Sequence, residues 1–138
     1  MKDRLPKALL VCFSLFTGSV YSNSEQTVIC PVKISTKQEL QGLETGWEAS
    51  TRPLNNVLSD VVFFDGHPSN NMSLKYDKTS KIADDEVLIW GLDPTSEYWL
   101  RCGYFGTTVA LIKRLPIATK KCEVTYSKSG VILTMSCD

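Results

Sequence analysis

The chain has 138 residues, with 15 lysines and arginines against 15 aspartates and glutamates, 43% hydrophobic residues, five cysteines and one histidine. That length and balance describe a single globular domain rather than a disordered chain. No dense basic patch interleaved with aromatics is present, which excludes a nucleic-acid surface. The lone histidine and the lack of any Cys-x-x-Cys pair exclude the common zinc patterns, so neither a metal nor another cofactor is expected.

Residues 1–22 read as a secretory leader. Lys2, Arg4 and Lys7 form its basic start, residues 8–20 an apolar run, and Val20, Tyr21 and Ser22 the cleavage region. The run is 13 residues long, too short to span a bilayer. Cys12 belongs to this leader: Val11 precedes it where a lipidation signal wants a small residue, and it comes too early. The secreted domain is then residues 23–138, and no membrane anchor is expected after leader removal. It keeps Cys30, Cys102, Cys122 and Cys137, an even number in an exported chain, which implies two disulfides with three possible connectivities. Its charge is uneven: residues 23–97 carry 6 basic and 12 acidic residues, residues 98–138 carry 6 basic and 2 acidic. An acidic and a basic region of this kind can steer a charged protein partner.

In chain order, residues 27–34 predict a first strand with Val28, Cys30, Val32 and Ile34 on one face. Pro31 removes a ladder donor and places it at a sheet edge. Residues 46–49 predict a second strand with Trp47 in the core. Arg52 to Asn56 predicts a turn, and Val57 to Phe64, the most apolar run, a strand buried on both faces. Residues 65–71 carry every local signal of a loop, and residues 72–76 alternate as a returning strand. Residues 77–86 are polar and predict an exposed connection. Asp84, Asp85 and Glu86 lack the alternating spacing and glycine of a calcium loop and read as charged gatekeepers before the strand at 87–92. Asp93 to Ser96 turns the chain into the central hairpin, residues 98–115, folded at Gly106 and Thr107. There Tyr98, Leu100, Cys102 and Tyr104 share the inward face, and Val109, Leu111 and Lys113 continue the alternation.

The last two strands are residues 122–126 and 131–137. With Ser129 and Gly130 as the loop, Tyr126 faces Leu133, Val124 faces Met135 and Cys122 faces Cys137. That register predicts the disulfide Cys122–Cys137, and Cys30–Cys102 is its complement. Outside the leader no segment has helical periodicity. The fold class is therefore all-β: a single antiparallel β-sandwich or partly open barrel of about eight strands with two disulfides. Nothing recommends an enzyme. The domain's cysteines are taken up by disulfides, and His67 lies in a turn without a nucleophile elbow.

An ordered set of residues carries a resemblance: Cys30-Pro31, Gly46-Trp47, Val61 to Gly66, Trp99-Leu100-x-Cys102-x-Tyr104, Leu111 with Leu115-Pro116, Cys122-x-Val124-x-Tyr126 and Cys137. In these the chain resembles small exported bacterial proteins with four cysteines, some encoded beside type VI secretion effectors that attack peptidoglycan, including ones with an L,D-transpeptidase-like fold. The resemblance implies a periplasmic immunity protein that inhibits such an effector by occluding its active site, and it transfers no functional residues. A general inhibitor of lysozyme or another cell-wall hydrolase, and a structural or ligand-binding periplasmic protein, are the alternatives. For an inhibitor, the expected plug is the loop Asp65, Gly66, His67, Pro68, Ser69, Asn70 and Asn71, anchored by the apolar strand before it. Tyr76 and Arg52 are added as aromatic and arginine contacts.

Overall fold

The computed structural model describes residues 29–138. The expected leader, and Thr27 and Val28 of the expected first strand, lie outside the described residues. The spine is β2 (Leu54–Asp65), a strand of 12 residues. It pairs antiparallel with β5 (Tyr98–Tyr104), from Leu58 opposite Tyr104 to Asp65 opposite Tyr98. β1 (Lys33–Thr36) covers the first part of its other edge, and β6 (Ala110–Arg114) completes the sheet beyond β5. The second sheet has the order β3 (Lys78–Ile82), β4 (Asp85–Gly91), β7 (Lys121–Tyr126) and β8 (Ile132–Cys137). The described residues thus form eight antiparallel strands in two sheets.

The sheets are joined by the chain leaving β2. It turns through residues 65–71, returns beside β2 with Ser73 bridged to Phe64, then crosses to β4, where the Asp77 amide donates to the Ile89 carbonyl at 2.8 Å. Between the sheets Phe63, Leu100, Cys122 and Val124 are fully buried, and Trp90 packs its ring 4.8 Å from that of Phe63. Each such large side chain contributes roughly 1.5–3 kcal/mol by leaving water. Both expected disulfides are present: Cys30–Cys102 ties the segment before β1 to β5, and Cys122–Cys137 spans directly opposed residues of β7 and β8.

Several local expectations are corrected. The first strand starts at Lys33, and Val32 is 68% exposed. Gly46 and Trp47 form no strand: Gly46 takes a left-handed φ of +85°, the Trp47 amide closes a turn onto Glu44, and the indole is 74% exposed. Trp47 has strand propensity but no neighbouring strand to pair with, and propensity alone does not make a strand. β2 already begins at Leu54, inside the expected turn, and its hydrophobic side chains are buried only from Val61 onward. Residues 72–76 give a single bridge, while strand β3 lies in the expected exposed connection. Every residue of β3 is exposed, so its polar sequence hides a strand that pairs with β4 without burying a face of its own. In β7–β8, Cys122 faces Cys137 and Val124 faces Met135 as expected, but a bulge sets Tyr126 opposite Ile132 instead of Leu133. In the central hairpin, Val109 falls outside β6, and Leu111, though opposite Cys102, remains exposed on an edge strand.

The acidic and basic halves of the sequence do not become two separate bodies. β2 pairs with β5 and β4 with β7, and the ion pairs Asp60–Arg101 and Glu97–Arg114 each join one half to the other.

Candidate partner-binding surface

The loop Asp65 to Asn71 is held closely by its own backbone. The Asp65 amide donates to Met72 and the Gly66 amide to Glu97, at 2.9 and 2.8 Å. Gly66 has a φ of +74°, which glycine alone adopts without strain, and Asn71 enters the left-handed region at +56° to end the short 3-10 turn Pro68–Asn70. His67 caps that turn: its Nδ1 accepts from the Ser69 amide at 3.2 Å and lies 2.8 Å from the Ser69 hydroxyl. Pairing a serine with a histidine two residues away is local capping. Among the described residues no carboxylate bonds to the imidazole, so it lacks the orienting third group of a nucleophilic triad.

The imidazole also stands edge-on to Trp99, ring centroids 4.7 Å apart. The Trp99 indole N–H donates to Glu97, which in turn pairs with Arg114 at 2.9 Å. Sheet one therefore gathers His67, Trp99, Glu97 and Arg114 at the loop's base. Asp65, Ser69, Asn70 and Asn71 are exposed, with Gly66 and Pro68 half-buried. Tyr76 is not part of this group. It lies edge-on to Trp90 of the second sheet at 6.1 Å, with the Lys75 ammonium 5.9 Å from its ring. Arg52 is exposed but precedes the opposite end of β2.

That opposite end was not singled out by the sequence. The turn after β5 is fixed at Phe105 and Gly106. The Phe105 amide donates to Val57, the buried side chain of Asn56 donates to the Phe105 carbonyl at 2.8 Å, and Gln38 donates to the Gly106 carbonyl at 3.1 Å. Thr36 donates to the Asn56 side-chain oxygen at 2.6 Å, orienting the amide. Yet the Phe105 ring is 78% exposed. It borders a groove of about 330 Å³ lined also by Val57, Leu58 and Val131, with Asn55 and Ser59. The available sequence signal was a bulky aromatic directly before a turn glycine, where turn composition calls for polar residues.

Among the described residues, no three histidine, cysteine, aspartate or glutamate side chains are grouped to hold a metal ion. No described helix is long and apolar enough to cross a membrane.

Residues 49–138 match the model of the family described as Type VI secretion system Tli immunity protein. The match takes in β2 through β8, while β1 and Cys30 precede it. No curated protein and no solved structure matches the chain.

Proposed function

Because the chain belongs to the Type VI secretion system Tli immunity protein family, we propose that it is a periplasmic inhibitor that binds a peptidoglycan-targeting effector and occludes its active site. The family match over residues 49–138 carries this reading. The two disulfides support an exported destination, since such bonds persist in oxidising compartments. Inhibition by binding needs a rigid surface rather than reacting groups. The loop Asp65 to Asn71, pinned at both ends by backbone bonds, supplies a polar projection that enters the effector's substrate cleft. A stable complex buries on the order of 1,600 Å² in total, so surfaces beyond this loop join the contact.

The test is protection of cells that make the cognate type VI effector in the periplasm. The chain with residues 1–22 should protect, and the chain lacking them should not. The purified protein should then stop peptidoglycan hydrolysis by that effector at equimolar ratio. Protection by the leaderless chain alone would overturn the periplasmic site of action. An effector inhibited by the chain but inactive on peptidoglycan would overturn the wall target, and equal inhibition of lysozyme would favour a general hydrolase inhibitor.

A further inference from the structure

We propose that the effector is anchored at the Phe105 end, where the groove beside Phe105 receives an apolar side chain flanked by carboxylates. This rests on the immunity reading and adds to it the chemistry of the partner's contact. The backbone at Phe105 is held by the Val57 carbonyl and by Asn56, whose side chain is buried at 3% exposure, while the ring stands in solvent. A fixed backbone carrying an exposed aromatic has little ordering left to lose on binding, the property of an interface anchor. The ring does not stand alone. Val57 is 46% exposed and Val131 55%, and together with Leu58 they form the apolar lining beside it.

Charge selects the occupant. Lys33 is the cross-strand partner of Val57, so the two side chains share a face of the sheet. Lys128 stands in the turn that presents Val131. Both lysines are exposed, and among the described residues neither has a carboxylate within ion-pair distance. Of the carboxylates on nearby segments, Asp60 is engaged by Arg101 at 3.2 Å and Glu39 by Lys37 at 2.9 Å, while Asp84, Asp85 and Glu86 lie at the turn into β4, on the far side of β7 from β8 and the Val131 that precedes it. An apolar groove flanked by two uncommitted cations matches an acidic segment bearing one large apolar side chain, and disfavours a second copy of this chain, which would bring the same lysines together.

The probe is a catalytically inactive form of the cognate type VI effector, titrated calorimetrically against the full disulfide-bonded protein. Phe105→Ala should weaken binding about 30-fold or more, the scale of an interface hot spot. Its melting temperature should stay unchanged, because the turn is held by backbone bonds. Val131→Glu should weaken binding in the same direction by placing a carboxylate in the groove. Lys128→Glu should reduce affinity about tenfold at low salt and less at high salt. No binding by the wild-type chain would sink the immunity reading and this proposal with it. Wild-type binding that survives both Phe105→Ala and Val131→Glu would overturn the proposal alone. Unchanged affinity and salt dependence in Lys128→Glu would overturn the acidic occupant. A wild-type dimer in sedimentation that Phe105→Ala dissociates would assign the groove to a second copy instead.

Discussion

The two ends of sheet one use their polar groups in opposite ways. At the loop end, side chains bond to one another: His67 with Ser69, Trp99 with Glu97, Glu97 with Arg114. The loop's aromatic surface is partly covered by the stacking of His67 on Trp99. At the Phe105 end, Asn56, Thr36 and Gln38 bond inward to hold the backbone, and the apolar surface is left facing water. One end is polar and satisfied; the other is rigid and apolar. Displacing water from apolar surface supplies most of the driving force of association, while polar contacts mainly set specificity. On the proposed immunity reading, this difference gives affinity to the Phe105 end and fit to the loop. The seven residue-to-residue steps from Tyr98 to Phe105 span about 23 Å in an extended strand. A partner footprint of about 800 Å² is roughly 30 Å across, so one effector can touch both.

The largest expected effect comes from cutting the crosslink nearest the Phe105 end. Cys30–Cys102 closes a separation of 72 residues and joins β5 two residues before Tyr104, whose hydroxyl donates to the Pro31 carbonyl at 2.9 Å. In the chain-entropy model a loop of this size stabilises by roughly 4 kcal/mol. Replacing both cysteines with serine should lower unfolding stability by about that amount in denaturant titration. Hydrogen exchange should speed up at Phe105 and Gly106 and stay slow at Gly66, which is held from Glu97. Equal acceleration at both ends would show that they are one cooperative unit and dissolve the contrast.

Next in size is Asn56→Ala. It leaves the Phe105 carbonyl and the Thr36 hydroxyl without their partner, a loss of about 1–3 kcal/mol for buried polar groups. Asn56 is a positioning residue, so effector affinity should fall although Asn56 itself is buried and cannot touch the partner. Normal affinity in a destabilised Asn56→Ala protein would mean that the fixed turn is irrelevant to binding.

The legibility of these regions follows from the same physics. Period-two patterning named Tyr98, Leu100, Cys102 and Tyr104 correctly, because three of the four are buried and the fourth packs on the core. The pairing of Cys122 with Cys137 was readable because Val124 and Met135 are buried in the same register. The exposed edge strand β3 was not readable, since no buried face imposed alternation on it. Trp47 misled for the converse reason, a core-type residue on a turn that no strand adjoins. The loop at 65–71 was legible as a loop from its turn residues. The Phe105 surface was missed because its meaning depends on Asn56 and Val131, distant in sequence and met only in the fold.

A smaller effect should appear at alkaline pH. Burial pushes the Tyr104 hydroxyl above the ordinary tyrosine value of 10.0. The unfolded chain therefore releases this proton first. Stability is complete below pH 10 and is lost as pH rises from there toward the raised folded value. Tyr126 is raised by burial and then by the charge of Asp60, and adds to the same slope. Tyr104→Phe should flatten part of the alkaline decline, at the cost of about 1 kcal/mol near neutrality from the lost bond to Pro31. A decline of unchanged steepness in that variant would remove Tyr104 as a source of it.

The smallest effect on stability, and the sharpest test of the loop, is His67→Ala. The imidazole is exposed, its bonds reach only Ser69, and its contact with Trp99 is an edge-on stack at the surface. The turn it caps keeps the backbone bonds from Asn70 to His67 and from Asn71 to Pro68. Stability should therefore change by no more than about 0.5 kcal/mol. Binding can move independently, because the imidazole, its Nδ1 taken up by Ser69, offers its Nε2–H as a donor to a substrate cleft. With the loop as plug, His67→Ala weakens the effector complex, and replacing residues 65–71 by glycine and serine abolishes protection. With affinity concentrated at Phe105, the His67 variant loses much less than Phe105→Ala, and the double variant shows the two losses added, since the sites are too far apart to share a contact. Full affinity and protection in the loop replacement would remove the loop from the inhibitory surface and leave the Phe105 end to carry it.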